Sequence, residues 1–287
     1  MDDTAPPSSP AASASHLADR VVVITGAGGG FGRLVSHMAA ERGAKVVAAD
    51  IDGDGLAETA AQADGEVTTA IADVTDRTQM QALATTAVET YGAIDVMINN
   101  AGIMPLAFWA DHDQAADAWD RCIDINIKGV VNGITAVHDQ MITQGRGHVV
   151  NIASIYGNHP VPGAAIYGMS KAAVIFLSDA LRQESQGRIK VTTVRPTGVP
   201  GTGLGGGIVN PAAISGILGT NEPAFMEALG ALMGEQPPQA LADPTEITYA
   251  SLAPELLAEQ IMYAIDQPWG VTISDVTVRA AGDLYQI

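Results

Sequence analysis

Three residues in the second half of the chain have side chains that together can move a proton. Tyr167 and Lys171 are four positions apart in a helical pattern, so they share one face of the predicted helix. A lysine ammonium beside a phenol favours the phenolate, and we expect the pKa of Tyr167 to fall from about 10 toward working pH. Such a tyrosine suits general acid/base catalysis. Ser154 follows a predicted strand, where its hydroxyl can hold a substrate oxygen. A Tyr-x-x-x-Lys pair alone is common on helix surfaces, so the hypothesis depends on what precedes it.

A strand, a glycine-rich loop and a helical pattern stand near the start of the chain. Val21 to Ile24 form a β-branched apolar run that is typical of a buried parallel strand, and the loop follows at once. Glycines let the backbone approach a ligand closely, and a helix N-terminus offers free N–H groups to a pyrophosphate. The sequence therefore predicts a dinucleotide site that includes Gly26, Gly30, Phe31 and Gly32. A glycine-rich loop can equally be a plain turn.

The next predicted strand, Lys45 to Ala49, ends in Asp50, eighteen residues after Gly32. An acidic side chain at this point binds the adenosine ribose hydroxyls of a dinucleotide. Its charge would repel a ribose 2′-phosphate. We therefore predict NAD rather than NADP, held in part by Asp50 and Ile51.

Strands and helices alternate along the rest of the chain, which predicts one α/β, doubly wound, parallel sheet flanked by helices. The later predicted strands are Val67 to Ala72, Ile94 to Ile98, Gly147 to Ile152, Ile189 to Arg195 and Val271 to Val278. The predicted helices include Leu56 to Ala63, Thr78 to Tyr91, Trp119 to Met141, Pro162 to Glu184 and Ser251 to Ile265.

Small or polar residues follow two of these strands and are predicted to line the same site. Asp73 and Val74 come after the third strand, where they can meet an adenine ring. Asn100, Ala101 and Gly102 come after the fourth, where amide side chains can tie neighbouring loops together beside the cofactor.

Composition excludes several classes of protein. The chain has 287 residues, of which 47% are hydrophobic, and a formal net charge of −18. Such an acidic surface disfavours nucleic-acid binding, and no apolar run is long enough to predict a membrane span. Cys122 is the only cysteine, which fits a cytoplasmic location, and the six histidines show no metal-binding spacing.

We expect one catalytic domain, 19–287, preceded by a disordered tail, 1–18, that is rich in Ala, Ser and Pro. A long Gly/Pro-rich segment follows the sixth strand, with a helical piece near Glu222 to Gly234. Loops of this length are usually functional or disordered, and we predict a substrate lid at about 197–248.

With these motifs in place, the chain resembles the classical short-chain dehydrogenase/reductase family from about Leu17 to its end. The motifs that carry the resemblance are the TGxxxGxG loop at Thr25 to Gly32, the Asp73–Val74 pair, the NNAG signature at Asn99 to Gly102, and the catalytic tetrad Asn126, Ser154, Tyr167 and Lys171. The resemblance implies a Rossmann-type fold with a seven-stranded parallel sheet, and a homotetramer or homodimer formed through the helices around Asn126 and Tyr167.

The resemblance also implies roles for the tetrad. Tyr167 would exchange a proton with an alcohol or carbonyl oxygen that Ser154 positions. Lys171 would hold the nicotinamide ribose and lower the Tyr167 pKa, and Asn126 would support a water chain to Lys171. The cofactor would transfer a hydride. Family members that prefer NADP often have a basic residue where this chain has Gly29, which again favours NAD.

One segment departs from the family pattern, which often has Pro-Gly followed by a threonine after the sixth strand. Pro196 and Val199 match and are predicted to contact the nicotinamide. Thr202 falls one place late when Val199 is aligned, so a cofactor role for it is not predicted.

The predicted lid suggests a neutral, fairly apolar secondary alcohol or ketone as substrate, because no lysine or arginine occurs from Gly198 to Val278 to bind an anion. Its large apolar residues would face the substrate or pack the lid onto the domain: Leu204, Ile208, Ile214, Leu218, Phe225, Met226 and Met233. The expected mouth of the site holds Met104, Trp109, Ile155, Tyr156 and His159.

Two alternatives stay open. One is another reaction on the same scaffold, such as reduction of an acyl-carrier ketone, epimerisation or dehydration. The other is a dinucleotide-binding sensor or scaffold without catalysis. A Tyr167→Phe variant separates the last, because a dehydrogenase would lose turnover and keep NAD binding.

Overall fold

The computed structural model describes residues 15–234 and 236–285. Within them, seven strands form one parallel sheet in the order β3-β2-β1-β4-β5-β6-β7. The strands are β1 (Val21–Thr25), β2 (Lys45–Asp50), β3 (Val67–Ile71), β4 (Val96–Asn99), β5 (His148–Ile152), β6 (Lys190–Pro196) and β7 (Asp275–Val278). The predicted seven-stranded, Rossmann-type sheet is confirmed.

Helices connect the strands and cover both faces of the sheet. They are α1 (Gly30–Glu41), α2 (Gly53–Ala61), α3 (Arg77–Tyr91), α4 (His112–Ile123), α5 (Gly129–Thr143), α6 (Ala165–Glu184), α7 (Ala213–Leu218), α8 (Glu222–Leu232), α9 (Gln239–Ala242) and α10 (Pro254–Ile265). Among the helices of the described residues, none is both long and apolar enough to cross a membrane.

Alternate residues of the central strands are buried in two separate cores, one on each face of the sheet. Val22 and Ile24 of β1 pack in the cluster that includes α1 and α10 residues, whereas Val21 and Val23 pack in the cluster that includes α3 and α5 residues. A strand buried on both faces needs an unbroken apolar run, which explains the β-branched sequence of β1. The sheet order reverses between β1 and β4, and in open α/β sheets ligands bind at such a point.

The predicted helix from Trp119 to Met141 differs from the structure in its start and its continuity. Helical structure begins earlier, at His112, and α4 is separated from α5 by a π-helical turn, Asp124–Lys128. A π-turn is a single wide turn with a shifted hydrogen-bond pattern and often marks a functional site. This turn contains Asn126.

The last strand is shorter than the predicted Val271 to Val278. The carbonyl of Val271 accepts a hydrogen bond from Lys190 Nζ at 3.0 Å, and that of Ile273 accepts one from Thr192 Oγ1 at 2.6 Å. These carbonyls bond side chains of β6 instead of its main chain, so the ladder begins only at Asp275.

The predicted tail, 1–18, extends too far along the chain. Residues 1–14 lie outside the described part, but Leu17 is only 1% exposed and belongs to the core. The backbone N–H groups of His16 and Leu17 donate to the Asp266 carboxylate at the end of α10. Burying one leucine and pairing these amides fixes residues 15–18 onto the domain, which the Ala/Ser/Pro composition did not reveal.

The segment between β6 and α10 consists of turns and three short helices. α7 buries Ala213, Ile217 and Leu218, whereas α8 and α9 have no buried residue. The helical piece predicted near Glu222 to Gly234 corresponds to α8. This segment is therefore attached to the domain mainly at its two ends and through α7.

Candidate active site

The carboxyl ends of the strands surround an open cavity of about 480 Å³. Every residue predicted from the sequence to bind the cofactor lines it: Gly26, Gly30, Phe31, Gly32, Asp50, Ile51, Asp73, Val74, Asn100, Ala101, Gly102, Tyr167, Lys171, Pro196 and Val199. Ser154 lines the cavity as well, whereas Asn126 is fully buried and does not line it. The cavity therefore joins the glycine loop to the Ser–Tyr–Lys group.

The glycine loop at one end of the cavity is packed too closely for side chains. Gly26 has a left-handed backbone (φ +68°). A Cβ there would lie 2.9 Å from both the Ala101 Cα and the side-chain amide nitrogen of Asn100. A Cβ on Gly32 would overlap the Gly26 carbonyl oxygen. The loop can therefore lie flat against the start of α1, whose N-terminal N–H groups suit a phosphate.

Asp50 ends β2 with its carboxylate held in place on the rim of the cavity. One oxygen accepts from Gly28 N at 2.9 Å and the other from Asp52 N at 3.0 Å. These two bonds orient the carboxylate and leave its remaining lone pairs for hydroxyl donors.

Arg33, which directly follows the glycine loop, is held on α1 by other partners. It donates to the Gly28 carbonyl at 2.6 Å and to Thr59 Oγ1 at 3.0 Å, and it forms an ion pair with Glu58 at 2.8 Å. The Arg33 guanidinium is therefore bonded to α2 and the glycine loop, and it does not form an anion-binding site beside Asp50.

Asn100 ties the loops after β1 and β4 together, as the sequence predicted. Its side-chain amide donates to the carbonyls of Thr25 at 2.9 Å and Gly26 at 3.2 Å. The Thr25 hydroxyl completes the junction by accepting from the backbone N–H groups of Asn100 and Ala101 at 3.1 and 3.2 Å. Thr25 was predicted only as the first residue of the glycine-rich motif, and this position directly before the first loop glycine was the signal for its role at the junction.

The Ser–Tyr–Lys group forms the other end of the cavity. Ser154 caps a short 3₁₀ turn, its Oγ accepts from Tyr156 N at 3.2 Å, and its hydroxyl lies near enough to the Tyr167 phenol to act on the pKa of that group. Lys171 donates from Nζ to the Ile152 carbonyl at 2.8 Å, and Nζ lies 5.8 Å from the centre of the Tyr167 ring. The side chains of Ser154, Tyr167 and Lys171 therefore lie together at this end of the cavity.

The predicted lowering of the Tyr167 pKa was wrong for the protein in this structure. Burial raises the pKa of Tyr167 to about 12, and the hydrogen bond with Ser154 acts in the opposite direction. Burial also lowers the pKa of Lys171 to about 8. Both shifts have the same cause, because a dry site disfavours phenolate and ammonium alike. The ammonium lies against the ring and the Ile152 carbonyl instead of the phenol oxygen.

Asn126 is fully buried in the π-turn and organises the wall behind the cavity. Its side chain pairs with both main-chain groups of Ile103, accepting from N and donating to O, each at 2.9 Å. Its amide also contacts Ser170 Oγ at 3.0 Å, and that hydroxyl donates to the Tyr167 carbonyl at 2.7 Å. Asn126 therefore connects the loop after β4 to α6. The water chain to Lys171 stays a prediction.

The predicted lid residues divide into three groups. Leu204 lines the cavity, and Leu218 is fully buried in an apolar cluster beside it, against which Ile208, Ile214 and Phe225 pack. Met226 and Met233 are 55% and 79% exposed. Thr202 lines the cavity with its hydroxyl donating to the Val199 carbonyl at 3.1 Å.

The apolar cluster includes three of the five residues predicted at the mouth, and His159 and Trp109 lie outside it. Ile155 and Tyr156 are buried in it together with Tyr167, and Met104 packs against it. Trp109 instead lies 66% exposed with its ring against Trp119. Tyr285 also packs against this cluster and was not predicted, because no sequence pattern near it indicated a contact with the site.

Within the described residues, no group of His, Cys, Asp and Glu side chains is arranged to hold a metal ion. Cys122, in α4, is fully buried, and burial raises the pKa of its thiol.

Comparison with known proteins agrees with this geometry. A sequence profile of the family described as short chain dehydrogenase matches residues 20–210. An uncharacterized oxidoreductase of Staphylococcus saprophyticus is 34% identical over 92% of this chain and 97% of its own length.

Two solved structures have the same fold and differ in their cofactor. The closed form of a serine dehydrogenase complexed with NADP⁺ matches with a TM-score of 0.73 at 26% identity, covering 90% of this chain and 94% of that one. A short-chain dehydrogenase/reductase from Burkholderia phymatum in complex with NAD matches with a TM-score of 0.69 at 28% identity, covering 91% and 89%. The glycine loop, the Ser–Tyr–Lys group and these similarities agree, and the chain belongs to the short-chain dehydrogenase/reductase family of oxidoreductases.

Proposed function

We propose that this protein is an NAD-dependent oxidoreductase that interconverts a neutral, apolar secondary alcohol and its ketone. The observation that carries the proposal is one cavity with the oriented Asp50 carboxylate at one end and Ser154, Tyr167 and Lys171 at the other. The first group suits the ribose of a dinucleotide, and the second suits proton exchange with a substrate oxygen.

The residues of the cavity fit a nicotinamide dinucleotide. The pyrophosphate would lie over the glycine loop at the start of α1, where Gly29 lines the cavity and faces open space. Ile51, Asp73 and Val74 would flank the adenine, and Pro196 and Val199 the nicotinamide. The bound nicotinamide supplies or accepts the hydride.

The protein's own residues handle the proton and orient the substrate. The Ser154 hydroxyl would hold the reacting oxygen, and Tyr167 would give or take its proton. Lys171 would bind a ribose hydroxyl, and its ammonium would favour the phenolate once it approached the phenol oxygen. Asn126 would keep α6 and the loop after β4 in register so that these groups stay aligned.

The preference for NAD is supported by the charge and orientation of Asp50. A 2′-phosphate on the ribose would approach this carboxylate, and like charges at such a distance repel. Arg33 is engaged with Glu58, Gly28 and Thr59 and is not free to neutralise the phosphate.

The preference for a neutral substrate is supported by the pairing of the cations near the lid. Arg195 bonds Asp275 and Asn158, and Arg279 is paired with Asp283. The segment from Gly198 to Val278 has no lysine or arginine. An acyl-carrier phosphate would therefore lack the charged partners that anions need.

The same proposal includes assembly into a homodimer or homotetramer through α6. Met169 and Phe176 on this helix are 46% and 75% exposed, which is unusual for side chains of this size. Light scattering of the purified chain should give a mass of two or four protomers, and a monomer at micromolar concentration would contradict it.

Turnover in the presence of each cofactor tests the proposed function. Absorbance of the reduced nicotinamide is followed with a panel of apolar secondary alcohols and either NAD or NADP. We expect reduction of NAD with a subset of the panel. NADP-only activity would contradict the cofactor assignment, and NAD binding without any turnover would favour a sensor.

A further inference from the structure

The carbonyl of Val74, in the turn that follows β3, is held by a buried side chain of α5. Asn132 is 6% exposed, and its amide nitrogen donates to the Val74 carbonyl oxygen at 2.8 Å. No other hydrogen bond reaches this oxygen within the described chain. Because Val74 is itself only 8% exposed, water has little access to replace the asparagine.

The side chain of Val74 packs onto the same face of α5. A Cβ on Gly129 would lie 2.7 Å from Val74 Cγ2, so the absence of a side chain at Gly129 lets the helix and the turn meet. Gly129 and Asn132 are three residues apart in α5 and therefore lie on one face of the helix. This face holds both the side chain and the carbonyl of Val74.

The turn that Asn132 holds is part of the cavity wall, because Asp73 and Val74 both line the cavity. Its other hydrogen bonds are exposed: Asp73 N donates to the Gln79 side-chain oxygen at 2.9 Å, and the Asp73 carboxylate accepts from Thr75 N at 2.8 Å. Water can compete for the groups in these exposed bonds. The buried bond from Asn132 is therefore the stronger constraint on the shape of the turn.

The contacts of Asn132 are separate from those of Asn126 in the preceding π-turn. Asn126 bonds Ile103 and Ser170, next to the Ser–Tyr–Lys group. Asn132 bonds the turn after β3, and three strands of the sheet lie between β3 and β5, the strand that precedes Ser154. A change at Asn132 should therefore act on one end of the cavity and leave the other end in place.

Resting on the proposed function, in which Asp73 and Val74 flank the adenine, we infer that Asn132 is a positioning residue for the cofactor. Asn132 holds the turn after β3 in the shape that receives the adenine, and it thereby sets the affinity for the adenosine half of the dinucleotide. Without the Asn132 amide, the Val74 carbonyl loses its hydrogen bond, and the turn must move for that carbonyl to reach water. The Ser–Tyr–Lys group keeps its geometry.

The test measures the binding of two probes to the full-length protein by isothermal titration calorimetry. NAD contains both halves of the cofactor, whereas ADP-ribose keeps the adenine, the riboses and the pyrophosphate and lacks the nicotinamide. Asn132→Leu replaces the amide with an apolar side chain of similar size. The Kd of NAD and the Kd of ADP-ribose should rise together in this variant, by about tenfold. Thr135→Val, which removes an exposed hydroxyl from the same helix, should leave both Kd values unchanged.

Three results would overturn the inference. The first is an unchanged Kd for both probes in Asn132→Leu. The second is a rise in the Kd of NAD without a rise in the Kd of ADP-ribose, because the loss would then lie at the nicotinamide. The third is an equally large effect of Gln79→Ala, which removes the exposed bond to Asp73 N and should change either Kd by less than about twofold.

A second variant and a kinetic measurement separate positioning from folding. Asn132→Ala also lacks the donor but leaves a cavity, so its Tm should be lower than that of Asn132→Leu, while the two variants should share the same rise in Kd. Where one variant fails to fold, the other decides. In both, kcat at saturating NAD should stay within about twofold of the wild type, and a fall in kcat as large as the rise in Kd would overturn the inference.

The failure of the proposed function would be distinguishable from the failure of this inference. Absence of turnover for every alcohol, despite NAD binding, would contradict the proposed function, and the two Kd values would still decide the role of Asn132. Wild-type protein that binds neither NAD nor ADP-ribose would contradict both.

Discussion

The cofactor side and the substrate side of the cavity are built in different ways. Strand ends and loops joined by hydrogen bonds between side chains and the main chain form the cofactor side, as at Thr25, Gly26 and Asn100. Turns, short helices and the C-terminal segment form much of the substrate side, and α8 and α9 bury no residue. The first side is therefore fixed by the sheet, whereas the second depends on a few contacts between distant parts of the chain.

This difference between the two sides indicates which part of the cavity tolerates substitution. A side chain added to Gly26 or Gly32 would overlap backbone, so the cofactor side tolerates little change. On the substrate side, the contact of Tyr285 with Gly198 and that of Asn221 with Leu284 are single links that other residues could replace. We expect cofactor affinity and substrate specificity to respond to different substitutions.

The largest expected effect is at Lys171, where the two sides meet. Lys171→Met removes the ammonium that would bind the ribose and support Tyr167, so kcat should fall by about 10²–10⁴-fold and the KM for NAD should rise. Steady-state kinetics measure both. Lys128→Met is the matched control, because Lys128 is 65% exposed and bonds only Asp124 within the described residues. Equal losses in the two variants would mean that Lys171 acts only on folding.

Asp50 tests the cofactor side alone. Asp50→Ser removes the charge that would repel a 2′-phosphate, and the kcat/KM ratio of NADP to NAD should rise by about tenfold to a hundredfold. The selectivity between alcohols should not change. The control is Asp54→Ser, an exposed acidic residue in the first turn of α2. A cofactor ratio unaltered by Asp50→Ser would remove the reason for assigning NAD.

The pH dependence should differ between the two directions of reaction. Alcohol oxidation needs the Tyr167 phenolate, and because burial raises the pKa of Tyr167 to about 12, its rate should rise with pH, by up to about tenfold per unit, until the Lys171 ammonium that favours the phenolate begins to deprotonate near pH 8. Ketone reduction uses the neutral phenol and the Lys171 ammonium, whose pKa burial lowers to about 8. Reduction should therefore stay level in acid and decline above about pH 8. Initial rates in both directions measure this, and parallel profiles would contradict it.

The smallest expected effect is on the substrate side. Gly198→Ala places a methyl group where the Tyr285 ring packs, so the ring must move. The KM for the alcohol should rise severalfold more than the KM for NAD. The Tm should also fall, since overpacking costs about 1–3 kcal/mol. In Gly230→Ala, the control on α8, the added methyl group meets no neighbouring atom. An equal rise in both KM values would mean that the two sides are not separable.

The features that could be predicted from the sequence lie mainly on the cofactor side of the cavity, and those that could not lie mainly on the substrate side. The glycine loop, Asp50 and Asn100 were predicted because their roles depend on local backbone shape and strand order, which a sequence pattern encodes. The Tyr285–Gly198 contact joins residues far apart in the chain, and no local pattern indicates it. The π-turn at Asn126 was hidden inside a continuous helical pattern.

The direction of the Tyr167 pKa was also beyond the sequence. Spacing placed Lys171 on the same helix face as Tyr167, but not whether its ammonium would reach the phenol oxygen. In the fold both residues are nearly fully buried, and desolvation outweighs the attraction that the spacing suggested. Burial at this site depends on the packing of three separate segments.

The most direct test of the proposed role of Tyr167 measures NAD binding and turnover on the same Tyr167→Phe protein. The proposed role predicts that NAD binds with an affinity within about twofold of the wild type, because the phenol oxygen is not needed to hold the dinucleotide. Turnover should fall about 10²–10⁴-fold. Tyr263→Phe, a change on the exposed side of α10, should match the wild type in both. Turnover at the wild-type rate in Tyr167→Phe, with NAD still bound, would contradict the proposal that this tyrosine moves the proton.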